Sequence, residues 1–357
     1  MMLDVFDADA FNLVNLTAAL QKLPYKPGRI GELGLFENKP TSTKHAIIEE
    51  QHGKLSLLPT LPRGASNQTT QSSQRRKIRS FLVPHVPQWD ALLADDLEGK
   101  RAFGSEDQVE IYSQIMNDRM EQMKQNHEIT WEWHRIGALK GIVLDADGTT
   151  EVYDFFTEFG ITQQEVSIDF ADTGTYALPD PAVDFKVISS QIIRATQLAL
   201  GDARFTGIHA MCGNQFFDSF IKHGTVRMAY ERYQDNQFAR QTQIPGGSQP
   251  TGFMFADIEW ENYRGGIGTV DFFDSDKAYF FPKGVPQLFL EIPAPAPFVE
   301  TVNTRGIPLY AKQERMKWDL GIELHTQSNV LFMCTRPKCL IKATGTNLVG
   351  HTSGLIS

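Results

Sequence analysis

Cysteine is nearly missing from this chain: three residues, Cys212, Cys334 and Cys339, in 357. So small and odd a number builds no disulfide framework and fits a reducing compartment. No uninterrupted apolar run reaches the roughly 20 residues that cross a bilayer, and the opening MMLDVFDADAF is acidic where a secretory leader would be basic. Cationic side chains are outnumbered, 34 against 43, leaving a net charge of −9. The average surface therefore repels nucleic acid and anionic membrane. Catalytic signatures are absent too: there is no G-x-S-x-G, phosphate-binding Walker loop, dinucleotide fingerprint or H-E-x-x-H. What remains is 41% hydrophobic and 11% aromatic, enough for a substantial core.

The most prominent feature is the stretch 105–141. Ser105 and Gln108 form a capping box that opens a helix. Val109, Tyr112, Met116, Met120 and Met123 recur at three- and four-residue spacing, and Trp131 resumes the stripe. No proline interrupts it, and the first candidate stop is Gly137. A helix over 105–136 would be a rod of roughly 47 Å, far longer than an ordinary globular helix.

Before that helix the chain reads as arm and loop. Residues 1–45 carry Phe6, Phe11 and Leu13, then turn-rich sequence around Pro24, Pro27, Gly28 and Gly31. Such an arm has little of its own to bury against, so a neighbouring subunit is expected to order it. Residues 46–58 and 77–86 read as two strands flanking the polar segment 59–76, a long projecting hairpin. The hairpin is basic on its return side, at Arg75, Arg76, Lys77 and Arg79, with Arg63 near its tip. No aromatics interleave to stack bases, so docking on an acidic face of another copy suits it better than nucleic acid. Val83, Val86 and Trp89 lead into an acidic link at 94–99.

After the helix, Val143 and its neighbours pair with 152–156 across Asp147-Gly148. Asp180-Pro181 starts a helix whose buried face is Val187, Ile188, Ile192, Ala195, Leu198 and Ala199. Phe205–Cys212 is a buried strand, and Asn214 caps a helix bearing Phe216, Phe217, Phe220 and Ile221. Met254, Ala256, Ile258 and Trp260 share one strand face. Leu288–Ile292 is a strand, and Met316, Trp318, Leu320, Ile322 and Leu324 alternate as another. Val330–Cys334 and Leu340–Ala343 finish the sheet. The class is α+β, with one outsized helix and segregated antiparallel sheet.

Candidate chemistry is thin. Asp145-x-Asp147-Gly148 has the opening of a calcium loop, but Thr149 holds the third ligand position and no glutamate the twelfth. Cys334 and Cys339 lack a second pair for zinc and read as structural thiols. His127 and His134 stand two turns apart, wrong for an i,i+4 ligand pair, and are expected at the surface or an interface. A hydrolase using Asp145, Asp147 and His134 is the enzymatic alternative. No metal or cofactor is expected, which favours a structural role.

Three stretches carry a family resemblance: RRKIRSFLVPHVPQWDALLADDLEG (75–99), the long helix running into IGALKGIVLDADGTTEVYDFF, and MKWDLGIELHTQSNVLFMCTRPKCLIKA. With the order of parts, they make the chain similar to the lambda-type branch of tailed-phage major capsid proteins, the major capsid protein E family. The resemblance implies the Hong Kong 97-type capsid fold. Residues 1–45 would be the N-terminal arm and 46–104 the extended loop and link, with its tip at 59–76. The peripheral domain would be 105–180 with spine helix 105–136, the axial domain 181–329, and 330–357 the strands returning to the peripheral domain. It also implies hexamers and pentamers closing an icosahedral shell around double-stranded DNA. That shell would form in the bacterial host cytoplasm around a separate scaffold protein. A portal would occupy one vertex, and a decoration protein could sit at three-fold sites. DNA would be enclosed without specific binding, no membrane would be involved, and the final location would be the virion. The inter-subunit contact candidates are then Phe6, Phe11, Leu13, Arg63, Arg75, Arg76, Lys77 and Arg79. Another virion part fits less well: a tail tube wants no spine helix, and a portal wants a more helical chain.

Overall fold

A computed structural model describes residues 28–51, 76–93, 108–170, 184–201, 203–224, 226–227, 252–263, 265–267 and 270–348. The arm residues Phe6, Phe11 and Leu13, the capping box at Ser105, Asp180-Pro181, and Arg63 and Arg75 lie outside them. In chain order come helix α1 (Arg29–Glu32), strands β1 (Phe36–Asn38), β2 (His45–Gln51), β3 (Arg76–Leu82) and β4 (Val86–Leu93), and helix α2 (Gln108–Lys140). Next are β5 (Ile142–Leu144), β6 (Glu151–Asp154), α3 (Phe155–Phe159), β7 (Gln164–Asp169), α4 (Phe185–Leu200), β8 (Gly207–Cys212) and α5 (Asn214–Lys222). The remainder is strand: β9 (Gly252–Phe255), β10 (Ile258–Asn262), β11 (Gly266–Ile267), β12 (Val270–Asp271), β13 (Lys277–Lys283), β14 (Phe289–Pro293), β15 (Tyr310–Arg315), β16 (Gly321–Ser328), β17 (Val330–Cys334) and β18 (Ile341–Thr346).

The chain divides into two compact units, one of residues 1–53, 61–135 and 290–332, the other of 54–60, 136–289 and 333–357. Strand β16 lies between β15 and β4 in the first unit, and β7 and β18 share a sheet in the second.

In the first unit α2 lies on the antiparallel sheet β15-β16-β4. Met116, Met120, Met123 and Trp131 are buried as the periodicity requires, as are Ile322 and Leu324 on β16. Polar pairs fix the register of helix on sheet. The Trp131 indole donates to Ser328 Oγ at 2.7 Å, His127 Nε2 lies 3.0 Å from Thr326 Oγ1, and Arg119 bonds the Asp90 carboxylate at 2.9 Å. His127 and His134, expected at the surface or an interface, are instead 2% and 4% exposed. For His127 the reason is visible: Thr326, on the strand it faces, meets its ring nitrogen and offsets the cost of burial. The alternation expected over 316–324 also fails. Ile322 and Leu324 are inside, but Trp318 sits in the turn between β15 and β16 with φ 67° and is 90% exposed.

Helix α2 runs through Gly137 to Lys140, and Gly141 at φ +87° follows it. Gly137 is therefore a close-packing glycine and not the stop. A Cβ there would stand 2.8 Å from Val143 Cα, in the strand that folds back beneath it.

The second unit is built on the six-stranded sheet β7-β18-β13-β8-β10-β9. It is mixed, not purely antiparallel as expected, because β10 runs parallel to β8 and β7 to β18. One face carries an aromatic core in which Trp260 stacks on Phe220 at 4.1 Å and meets Phe280 and Phe185 edge-on. Helices α4 and α5 contribute Phe185, Ile192, Phe216, Phe217 and Phe220 to it. The buried positions of α4 are Phe185, Ser189, Ile192, Thr196 and Leu200, whereas Val187 and Leu198 of the expected face are exposed. Phe185, fully buried, anchors the helix one step out of the expected phase. Asp184 caps α4, accepting from Lys186 N–H, and Gly213, not Asn214, is the cap of α5. Met254 leaves the expected strand face because Ala256 and Asp257, both at positive φ, make a two-residue hairpin turn between β9 and β10. Phe253, Phe255, Ile258 and Trp260 then point inward.

Candidate inter-subunit surfaces

The described part of the expected hairpin is its two strands; its tip at 59–76 lies outside the described residues. Strands β2 and β3 pair antiparallel from His45↔Leu82 to Gln51↔Arg76. Alternation sorts its two faces. Ala46 and Phe81 are buried, while Ile47, Ile78 and Leu82 on the opposite face are 63%, 65% and 52% exposed. Three large apolar side chains thus stand exposed on one face of a two-stranded ribbon. Of the basic candidates, Arg76 and Lys77 lie on β3 opposite Gln51 and Glu50. Arg79, opposite Ile48, stands on the Phe81 side and is half-buried. The sequence located the ribbon and its charge; alternation along 45–51 and 78–82 was the signal for its apolar face.

A second exposed apolar area lies on β15-β16-β4. The inward row of β16 faces α2, so Glu323 and His325 face outward with their cross-strand partners. One row is Glu314–Glu323–Ala91 and the next is Lys312–His325–Trp89. Trp89 stacks on His325 at 4.0 Å yet stays 67% exposed, and Phe298 meets the same imidazole edge-on at 5.8 Å. Burial holds His325 below the usual histidine range, with His85 adding repulsion. Lys312 lies over the Phe298 ring and pairs with Glu300 at 3.1 Å.

The groups proposed for chemistry do not form an active site. Asp145 and Asp147 belong to the exposed turn between β5 and β6. Asp147 accepts from the backbone and hydroxyls of Thr149 and Thr150, and those bonds push its carboxyl well below the usual range. That makes it a turn stabiliser, the opposite of a poised acid or base. His134 is buried on α2. Cys212, Cys334 and Cys339 are buried free thiols.

Among the described residues one cluster has metal-ligand composition: His209, Glu259 and Glu261, on adjacent strands of the six-stranded sheet. The carboxylates approach opposite ring nitrogens, Glu259 Oε2 at 3.3 Å from Nδ1 and Glu261 Oε2 at 3.0 Å from Nε2. One ligand atom from each of the three lies within 4.8 Å of the others, and Lys283 already supplies a cation to Glu259. Those contacts pull the Glu259 carboxyl down to about 2, the bond to His209 first. A cavity of about 320 Å³ is lined by Asn214, Tyr263, Asp271 and Phe273 and offers one carboxylate among its described lining residues.

With chemistry thin and apolar surface exposed, likeness to known proteins becomes decisive. The model of the phage major capsid protein E family matches residues 12–345. The chain belongs to that family. This family member is 27% identical over 355 residues to the major capsid protein of Pseudomonas phage KPP10, spanning 93% of this chain and 96% of the relative. It is 25% identical over 374 residues to that of Salmonella phage Felix O1, spanning 95% and 98%. A crystal structure assigned as the capsid protein of an E. coli CFT073 prophage superposes with a TM-score of 0.52 at 15% identity, covering 95% of this family member and all of that chain. At that identity the likeness concerns the fold, the α+β tailed-phage capsid fold.

Proposed function

We infer that this chain is the major capsid protein of a tailed phage, the repeated subunit of an icosahedral head shell that encloses double-stranded DNA. The observation that carries this is the family match across 12–345, joined to relatives aligned over nearly their whole length. The physics supports it. A shell subunit needs heterologous contacts that close by symmetry, hence apolar surface exposed on the single chain. The exposed face of β2–β3 meets that description, and Phe6, Phe11, Leu13, Arg63, Arg75, Arg76, Lys77 and Arg79 are our contact candidates on arm and hairpin. The α2 unit is assigned the peripheral role and the six-stranded-sheet unit the axial role. The subunit is not an enzyme. It assembles in the host cytoplasm on a separate scaffold, joins a portal at one vertex, and ends in the virion; a decoration protein would occupy three-fold sites.

Negative-stain electron microscopy of the purified protein, expressed with and without the scaffold encoded by the same phage, tests the reading. Closed shells or hexamer and pentamer rings are expected; uniform, well-folded monomers under both conditions would overturn it. Deletion of residues 61–74 at the hairpin tip is expected to leave a folded subunit, by circular dichroism, that no longer closes shells. Normal shells from that deletion would remove the hairpin's assigned role.

A further inference from the structure

We propose that His209, Glu259 and Glu261 bind a divalent transition-metal ion of the zinc class, which ties β8 to β10 inside the six-stranded sheet. The inference stands apart from the shell reading, because the free subunit holds all three residues.

Register and alternation bring the three together. Strands β8 and β10 run parallel with His209 opposite Glu259, and Glu261, two residues on, shares Glu259's face. Ala210, Ile258 and Trp260 fill the other face, in the aromatic core. His209 and Glu261 are 0% and 1% exposed, and an imidazole and a carboxylate buried so deeply are costly unless well bound. Phe281, opposite His209 on β13, stacks on the imidazole at 5.4 Å and holds its plane.

The alignment of the contacts favours a metal over a shared proton. An imidazolium would donate along both of its N–H bonds. Here Glu261 Oε2 is 3.0 Å from Nε2 and Glu259 Oε2 is 3.3 Å from Nδ1, yet neither ring nitrogen has an aligned hydrogen-bond partner. An oxygen close to a ring nitrogen but off its axis stands where a second ligand of one ion would stand. Bonds of about 2.1 Å at angles of roughly 90–110° leave two ligand atoms about 3.0–3.4 Å apart. One nitrogen and one oxygen from each carboxylate already lie within 4.8 Å of one another. Two zinc bonds span at most about 4.4 Å, so the widest pair closes by about half an ångström.

Glu259 supplies that movement. Its side chain is 30% exposed, which gives the ion an entry path, and Lys283 serves as its counter-charge in the metal-free protein. Gly252, opposite Glu261 on β9, adds no side chain over that edge. One nitrogen and two anionic oxygens suit zinc, with manganese next, better than the all-oxygen shells of calcium and magnesium. Three protein ligands leave a position for water or for the second oxygen of a carboxylate.

The test uses untagged full-length protein, stripped with chelator, dialysed and titrated with zinc chloride by calorimetry. One zinc per subunit is expected, and zinc at about 100 times Kd should raise the melting temperature by about 5 °C. Glu259→Gln, at the exposed end of the cluster, should keep the parent circular dichroism and bind zinc at least about tenfold more weakly. X-ray absorption at the zinc edge should show one imidazole, oxygen neighbours and no sulfur, which separates this site from Cys212, Cys334 and Cys339. Absence of stoichiometric zinc would overturn the proposal, as would weak binding of several ions, the mark of surface histidines. So would tight zinc that Glu259→Gln and His209→Gln leave unchanged, or sulfur in the absorption spectrum. Should His209→Gln fail to fold, Glu259→Gln and the absorption spectrum decide the matter.

Discussion

Glu132 shows how single residues hold the helix unit. Its carboxylate accepts from Ile30 N–H at 2.6 Å and Gly31 N–H at 3.1 Å, closing the start of α1, and Arg135 beside it bridges to Glu291 at 3.2 Å. Glu132→Ala would leave two backbone donors without their acceptor and Arg135 with less negative charge around it. A loss of about 3 kcal/mol is expected. Urea unfolding of the free subunit should show a lower midpoint at unchanged slope. His127 gives a pH prediction. Burial, then repulsion from His325, lowers its pKa from 6.5 to about 4. The fold therefore holds it neutral, while the unfolded chain takes up a proton first as pH drops. Its contribution is intact above pH 6.5 and is lost between 6.5 and 4, roughly 3 kcal/mol in all. His127→Gln retains a partner for Thr326 and should flatten that acid limb in stability measured against pH. An unchanged limb would mean that other groups cause it.

At the scale of elements, Gly137 sets propensity against packing. Alanine is the better helix former by about 1 kcal/mol, but its methyl would press on Val143 Cα at 2.8 Å and Ile142 O at 3.0 Å. Backbone atoms give way poorly, so Gly137→Ala should destabilise by a net 1–3 kcal/mol or so, read as a lower melting temperature. The same glycine shows where sequence reading ends. The methionine stripe of α2 was legible because a helix buries every third or fourth side chain whatever it packs against. That the helix passes Gly137 depends on a strand returning beneath it, which no local pattern records. Trp318 looked like one position of an alternating strand because Ile322 and Leu324 set the period; the chain turns just before them and leaves the tryptophan outside. The pairing of β2 with β3 was legible from the flanking β-formers, but the sheet that backs α2 was not. That sheet joins β4 to β16, more than 220 positions later by the pairing of Leu93 with Gly321, and only folding brings them together.

For the molecule as a whole, the decisive quantity is net charge. A shell of many copies, each at −9, surrounds a polyanion at high local concentration. A basic wall would gain counterion-release energy with every phosphate it touched and would hold DNA against it. The acidic balance removes that drive, and the hairpin's basic run is assigned to contacts between subunits, where neighbouring carboxylates neutralise it. Empty shells mixed with duplex DNA at about 50 mM salt, where nonspecific electrostatic binding is strong, should therefore leave the DNA unbound in a sedimentation assay. Free subunits, whose Arg76, Lys77 and Arg79 are not yet covered by a second copy, should retain more DNA than shells under the same conditions. The residual binding should weaken as salt rises. Equal DNA retention by subunits and shells would mean that assembly does not cover the basic run, against its assignment to contacts between subunits.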